Sequence, residues 1–196
     1  MKKGIITLLI VIGVVLAVFV TCKNGYNNMV QKQESVAAQW ANVENQYQRR
    51  LDLIPNLVNT VKGYAKHESE TLTAVIEARA NATRQNITVD ELNSQTINEI
   101  NKSQGALSAA LGKLMAIAEN YPDLKANQNF RDLQVQLEGT ENRIAVERRK
   151  FNDEAKSFNL YIRQFPRNLF ASMFGFTPQA YFTAEQGAAS APKVEF

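Results

Sequence analysis

GIITLLIVIGVVLAVFVTC, residues 4–22, is a run of nineteen residues without a charged side chain, and it follows Met1-Lys2-Lys3 directly. At about 1.5 Å of rise per residue, a helix of this length spans the hydrocarbon core of a bilayer, which is about 30 Å thick. The chain after Lys23 is polar on average and has no second run of this kind. The sequence therefore predicts an N-terminal membrane anchor, residues 1–24, followed by one domain.

Two other roles of this apolar segment stay open, a cleaved secretory signal and a lipoprotein signal. The exit of the segment, residues 18–22, reads VFVTC and lacks the small-x-small site that signal cleavage requires. Lipidation of Cys22 needs small residues just ahead of the thiol, and Phe19 and Thr21 fit that need poorly. An uncleaved anchor is therefore the favoured interpretation.

The charges that flank the anchor predict its orientation. Lys2, Lys3 and the amino terminus precede the span, whereas only Lys23 and Lys32 follow it closely. Because positive charge is retained on the cytoplasmic side, the N-terminus is expected inside and the domain outside. The difference between the two sides is about one charge.

The composition of the chain restricts its chemistry. The 196 residues carry a formal net charge of +3, of which the lysines at positions 2 and 3 account for two. The remaining domain is nearly neutral, so nucleic acid is not expected as a partner. Cys22 and His67 are the one cysteine and the one histidine, which rules out a disulfide framework, a thiolate zinc site and a di-iron bundle site within the chain. We therefore expect no cofactor, no metal and no catalytic residue, although acid–base chemistry by carboxylates alone remains formally open.

From Tyr26 onward, apolar residues recur at spacings of three and four, which is typical of core-facing helices. Pro55 marks a boundary or a kink, because proline lacks an N–H and clashes with the preceding turn. Thr88-Val89-Asp90-Glu91 has the spacing of a capping box that starts a third helix. The predicted helices are 26–53, 55–84, 88–121 and 127–165. The apolar stripe of the fourth helix consists of Phe130, Leu133, Leu137, Ile144, Phe151, Ala155, Phe158, Ile162 and Phe165.

Four such stripes with short links predict an all-α fold, in which a transmembrane helix precedes an antiparallel up-and-down four-helix bundle over residues 25–166. A long coiled-coil hairpin that dimerises is the alternative, but broad stripes favour a bundle within one chain. Asn24-Gly25 either separates the span from the bundle as a cap or lies inside one continuous helix. Both readings stay open, because one glycine costs a helix only about 1 kcal/mol.

Residues 167–196 form a C-terminal tail that is rich in aromatic residues. The candidate contact patch in this tail consists of Phe170, Phe174, Phe176, Tyr181 and Phe182. The favoured interpretation is that the tail packs along the bundle and covers apolar surface. A patch that contacts a partner or lipid is the alternative. The last stretch, residues 188–196, is expected to be mobile.

Charged residues also lie on or near the predicted helix seams. They are Arg49, Arg50, Asp52, Glu68 and Arg79. The favoured interpretation is a layer of ion pairs that fixes the register of the first two helices, and the alternative is a polar docking site for a partner near the Pro55 turn. Within this set, Glu68 and Arg79 are predicted to face inward, each with a charged partner.

Two sequence blocks carry a family resemblance. The first reads QRRLDLIPNLV at 48–58, with VKGYA at 61–65 and HE at 67–68. The second reads FPRNL at 165–169, with GF at 175–176 and YF at 181–182. Together with the N-terminal anchor, these blocks make the chain similar to the bacterial LemA family over essentially its whole length. The resemblance implies a single-pass membrane protein with a four-helix bundle and no established catalytic activity.

These features together predict a non-enzymatic, membrane-tethered helical scaffold or adaptor that binds another membrane or envelope protein at the bacterial inner membrane. The first alternative is a module that senses or organises the membrane surface through its aromatic tail, and the second is an enzyme of unrecognised type. The bilayer is contacted through residues 4–22, and self-association into a homo-oligomer stays open.

Overall fold

A computed structural model of the chain describes residues 2–65, 67–84 and 91–183. These ranges hold six helices and no strand, which confirms the predicted all-α fold. The helices are α1 (Lys2–Tyr64), α2 (Ser69–Thr83), α3 (Ser94–Ala118), α4 (Pro122–Ala126), α5 (Gln128–Arg163) and α6 (Arg167–Met173). The predicted capping box at 88–91 lies largely outside the described residues, and the predicted mobile stretch at 188–196 lies wholly outside them.

α1 is one continuous helix of 63 residues that includes the apolar segment and passes through Asn24 and Gly25 without a cap. In the described part of the chain, it is the one helix that is long and apolar enough to cross a membrane. The protein itself buries none of its most apolar 18-residue window. An apolar surface of this length without protein cover fits a lipid environment rather than water.

α1 does not end near Pro55, contrary to the sequence prediction of separate helices 26–53 and 55–84. Because Pro55 has no N–H, the carbonyl of Leu51 lacks its partner in the helical hydrogen-bond pattern. Nε of Arg79 on α2 donates a hydrogen bond to that carbonyl at 2.9 Å. With the carbonyl satisfied, α1 continues to Tyr64, and α2 begins at Ser69.

The chain divides by its internal contacts into two compact units. The first, which we call the anchor unit, comprises the residues up to Ala38 together with Asp153–Gln179. The second, which we call the bundle unit, comprises the described residues of Gln39–Asn152 together with residues 180–183. Both α1 and α5 contribute to each unit.

In the bundle unit, segments of α1, α2, α3 and α5 pack as an antiparallel up-and-down four-helix bundle. Nε2 of Gln39 lies 2.6 Å from the carboxylate of Glu147 at one end, and Nδ2 of Asn127 lies 2.9 Å from the hydroxyl of Tyr64 at the other, so α1 and α5 run in opposite directions. The buried core is formed by Leu51, Ile54, Leu57, Val58, Val61, Ala65, Leu72, Val75, Ala82, Leu107, Leu111, Leu114, Ala118, Leu124, Phe130 and Leu137.

Asparagine side chains cap the N-termini of two of these helices. α3 starts at Ser94 rather than at residue 88, because Oδ1 of Asn93 accepts hydrogen bonds from the backbone N–H groups of Gln95 and Thr96. Oδ1 of Asn127 likewise accepts from the N–H of Phe130 at 3.0 Å, at the start of α5. These contacts satisfy N–H groups that have no partner within the helix itself.

In the anchor unit, α6 and the last turns of α5 pack against α1. Nζ of Lys32 lies 2.8 Å from Oγ of Ser157 and 5.6 Å from the ring centroid of Tyr161. The ring of Tyr26 lies 5.0 Å from that of Phe174 and 5.8 Å from that of Phe176, measured between centroids. The residues that follow α6 are therefore held beside the first turn of α1 after the apolar segment.

Candidate partner-binding groove

Arg50 is a buried charged residue in the bundle unit, with only 3% of its surface exposed. It projects from α1, its Nη1 lies 3.0 Å from Oε2 of Glu141 on α5, and its Nη2 donates to Oγ of Ser108 on α3 at 2.6 Å. Burial lowers the pKa of the Arg50 guanidinium, and the carboxylate of Glu141 partly offsets this by raising it. Arg50 therefore connects three helices through charge-assisted contacts.

Arg50 also lines a groove that is open to solvent and has a volume of about 250 Å³. The lining residues are Arg50, Ser108, Leu111, Gly112, Met115, Gln134, Leu137, Glu138 and Glu141. Its walls are mainly apolar and come from α3 and α5. A Cβ added at Gly112 would meet no heavy atom within 4 Å, so the missing side chain leaves the groove wide at that point.

The groove combines an apolar surface with charged side chains. Leu111, Met115 and Leu137 offer an apolar surface, and a thioether adapts well to the shape of what it contacts. The Glu141 side chain is 55% exposed, whereas the side chain of Arg50, its partner in the ion pair, is 3% exposed. Within the described ranges, no three His, Cys, Asp or Glu side chains are grouped so that they could hold a metal ion.

The structure places the other predicted polar residues apart from this groove. Arg49 and Asp52 are exposed, and Asp52 accepts a hydrogen bond from Nε2 of Gln48 at 2.7 Å. Glu68 accepts a hydrogen bond at 2.9 Å from the hydroxyl of Tyr121, and this contact raises the pKa of the tyrosine.

The partners of Glu68 and Arg79 are thus a phenol and the backbone carbonyl of Leu51, both neutral. The prediction that each has a charged partner is therefore wrong. Among the five charged candidates, all of which the structure describes, Arg50 is the one in an ion pair. They do not form a single layer of ion pairs.

The aromatic tail candidates differ in their burial. Phe182 is 7% exposed, and its ring lies 6.1 Å from that of Trp40 and 5.4 Å from that of Phe151, between centroids. It is a core residue of the bundle unit, so the prediction that it belongs to a contact patch is wrong. In the anchor unit, Phe170 and Phe176 are half-buried and Phe174 is exposed, while Tyr181 is an exposed residue of the bundle unit.

Two asparagines of α5 hold the tail by its backbone. In the bundle unit, Asn152 donates to the carbonyl of Phe182 and accepts from its N–H, both at 2.8 Å. In the anchor unit, Asn159 makes the same pair of bonds with the backbone of Gln179, again at 2.8 Å. A side-chain amide can bond both the N–H and the carbonyl of one residue in this way, because its acceptor oxygen and its donor nitrogen lie side by side.

Sequence reasoning missed Asn152, Asn159 and the residues of the groove other than Arg50. A buried guanidinium requires an anionic partner, and that requirement is the one signal that points towards Glu141. This requirement does not identify the helix or the position of the partner, because the sequence offers several glutamates that could meet it equally well.

A long, uncovered apolar helix at the N-terminus and a helical bundle define a membrane-associated helical-bundle protein. The model of the LemA family matches residues 39–196. The chain belongs to the LemA family, as the two sequence blocks predicted.

Individual relatives extend the likeness to nearly the whole chain. A protein of Paramagnetospirillum magneticum named magnetosome protein MamQ 2 is 30% identical over 200 residues, which cover 92% of this chain and 73% of that protein. Magnetosome protein MamQ of Magnetospirillum gryphiswaldense is 28% identical, with 93% and 74% of the two chains covered. Protein LemA of Metamycoplasma hominis is 26% identical, with 93% and 78% covered.

Proposed function

We propose that this chain is a membrane-tethered, non-enzymatic helical scaffold or adaptor that binds another membrane or envelope protein in the groove at Arg50. The observation that carries the proposal is the pairing of apolar walls with a buried guanidinium whose carboxylate partner is half-exposed. The names of the relatives above identify a cellular structure or the family, and no reaction.

The chemistry of the groove defines what its partner offers. An apolar side chain packs against Leu111, Met115 and Leu137, and a neighbouring carboxylate or carbonyl accepts from Arg50 in place of Glu141. The groove is small, and a small interface gives weak binding in solution. Tethering to the same membrane raises the effective concentration of the two proteins, so a modest interface suffices.

The proposal also assigns a location and an orientation. The chain is anchored once in the bacterial inner membrane, with its amino terminus in the cytoplasm and its bundle unit outside. Support for this orientation comes from Lys2, Lys3 and the amino terminus ahead of the span, set against Lys23 and Lys32 after it. A reporter fused after Phe196 that is active only outside the cytoplasm tests this part separately.

Site-specific photocrosslinking in native membranes tests the groove. A photoreactive residue at Gln134, which lines the groove, is expected to give one reproducible protein adduct on mass spectrometry. The matched control is the same residue at Lys102, which is exposed on α3 but does not line the groove. The same adducts at both positions, or lipid adducts alone at Gln134, would argue against the proposal.

A pair of glycine substitutions sharpens this test. Gly112→Leu fills the groove without a backbone clash and is expected to reduce the Gln134 adduct at least tenfold. Gly139→Leu is the control, because an added Cβ there also meets nothing within 4 Å and the residue lies outside the groove lining. Both substitutions remove a helix-interior glycine, so both favour the helix. An adduct that persists in Gly112→Leu would place the partner elsewhere.

A further inference from the structure

Three large apolar side chains around α6 are uncovered in the anchor unit. Phe165, just before the helix, is 80% exposed, and Leu169 and Met173 on the helix are 60% and 68% exposed. Leu169 and Met173 are four residues apart, so they lie on the same face of α6. The opposite side of the helix carries Ala171, which is buried. Exposed apolar side chains of this size, close together in the sequence, point to a contact surface.

The position of α6 within the anchor unit indicates what covers this surface. Tyr26, which contacts Phe174 and Phe176, lies four residues after Cys22, or about 6 Å along the axis of α1. Lys32 contacts Ser157 and Tyr161 of the antiparallel α5. The C-terminal end of α5 at Arg163 therefore lies about one helical turn nearer the apolar segment than Lys32 does.

The charges of the same region have one sign. No Asp or Glu occurs in residues 4–33 or 155–179, whereas five basic residues do, namely Lys23, Lys32, Lys156, Arg163 and Arg167. The guanidinium of Arg167 lies 4.2 Å from the ring centroid of Tyr161, which holds it at this end of the unit. Basic side chains close to a bilayer are attracted by anionic headgroups, and the attraction falls off within a Debye length.

From this geometry we propose that α6 lies in the interfacial layer of the bilayer, next to the point where α1 leaves the hydrocarbon core. Phe165, Leu169 and Met173 insert among the upper parts of the lipid chains, and Arg163 and Arg167 meet the headgroups. The bilayer that surrounds the apolar segment of α1 continues to this surface, which favours lipid over a second copy of the chain. This second lipid contact is independent of the groove at Arg50.

Fluorescence of the full chain in vesicles tests the proposal. In a Cys22→Ser background, Leu169→Cys and Met173→Cys each carry an environment-sensitive label, in vesicles of phosphatidylethanolamine and phosphatidylglycerol. The control is Lys156→Cys, an exposed position on α5 in the same unit. Labels at 169 and 173 are expected to emit at shorter wavelength than the label at 156. Lipids with a nitroxide near the headgroup are expected to quench the labels at 169 and 173 at least threefold more strongly than the label at 156.

Two outcomes would overturn the proposal. In the first, aqueous iodide quenches the labels at 169 and 173 as strongly as the label at 156, which would place α6 in water. In the second, the short-wavelength emission disappears when the protein is diluted tenfold into more lipid, which would mean that a second copy covers the surface. The labelled positions are exposed, so unchanged helical circular dichroism is the check that each variant is folded. Adducts in the groove at Gln134 do not depend on either outcome.

Discussion

At the residue scale, the contact between Arg79 and the Leu51 carbonyl explains how a proline is accommodated inside α1. A proline in a helix interior removes one hydrogen bond and costs about 3 kcal/mol relative to alanine. Part of that cost comes from the carbonyl left without a donor, and Nε of Arg79 supplies a donor from another helix. The same bond fixes the position of α2 along α1.

A double-mutant cycle on Pro55 and Arg79 measures this compensation. Arg79→Met is expected to lower the free energy of unfolding by about 1.5 kcal/mol, the low end for a hydrogen bond from a charged donor. In a Pro55→Ala background the Leu51 carbonyl has a helical N–H, so the same substitution is expected to cost much less. Urea unfolding of the full chain in detergent micelles, followed by circular dichroism, gives both values. Equal losses in the two backgrounds would contradict the compensation.

Glu44 gives a pH-dependent prediction. Burial raises the pKa of its carboxyl, and a hydrogen bond from Trp40 partly opposes the rise. An acid whose pKa is higher in the folded than in the unfolded state destabilises the fold as the pH rises through the interval between the two values. Glu44→Gln is therefore expected to raise the free energy of unfolding at pH 7 by a fraction of a kcal/mol, because the group is largely open to solvent screening.

The control for Glu44 is the same measurement at low pH. Below the pKa of the unfolded carboxyl both states are protonated, so the gain from Glu44→Gln is expected to vanish there. A gain that stays constant between pH 3 and pH 7 would show that packing, and not the charge, separates the two proteins.

At the element scale, Phe182 stacks on Trp40 and meets Phe151 edge to face, so the tail contributes a side chain to the core of the bundle unit. Phe182→Ala is expected to cost about 3–5 kcal/mol, the range for a buried phenylalanine. Trp40 is the one tryptophan of the chain, so its emission reports this site alone, and a shift to longer wavelength is expected. Tyr181→Ala, at an exposed neighbouring residue, is the control. Unchanged emission in Phe182→Ala would contradict the role of the tail in this core.

The helices themselves show what periodicity can and cannot predict. The apolar stripes identified helical structure and nearly all of the fourth helix, because a three-and-four spacing is a property of the local sequence. At Pro55 the sequence predicts a boundary or a kink, because the compensation by Arg79 comes from another helix and is not visible in the local pattern. Phe165 was assigned to the stripe of the fourth helix, yet α5 ends at Arg163 and the side chain is exposed. Spacing no longer indicates a face once the helix has ended.

The groove and the asparagine contacts to the tail are harder to predict from the sequence than the helices are. Arg50 is a candidate from the sequence because it lies near the apolar stripe of its helix. Its contacts with Ser108 and Glu141 depend on how α1, α3 and α5 are aligned along one another. Register between helices is set by the packing of whole faces, which no local pattern encodes. Asn152 and Asn159 bind backbone N–H and carbonyl groups. Almost every residue type carries these groups, so the sequence does not show which residues are the partners.

At the scale of the whole molecule, the membrane segment gives a prediction that separates an anchor from a signal. The mature chain is expected to keep residues 4–22 and to remain in the membrane pellet after alkaline carbonate. Ile12→Arg with Leu16→Arg is expected to release it, because each arginine near the centre of a span costs about 2.5–3.5 kcal/mol. A mature chain that begins at or after Cys22 by mass spectrometry would contradict the uncleaved anchor.

The contact between Arg79 and the carbonyl of Leu51 has an evolutionary consequence. The proline at position 55 leaves a carbonyl without a donor, and the arginine at position 79 supplies one. The two residues are therefore expected to be conserved or exchanged together. In lineages that replaced the proline, selection on the arginine is relaxed, and drift there is expected to be faster than at its neighbours. An alignment of many homologous sequences, tested for covariation of positions 55 and 79, can detect this coupling without any biochemical measurement.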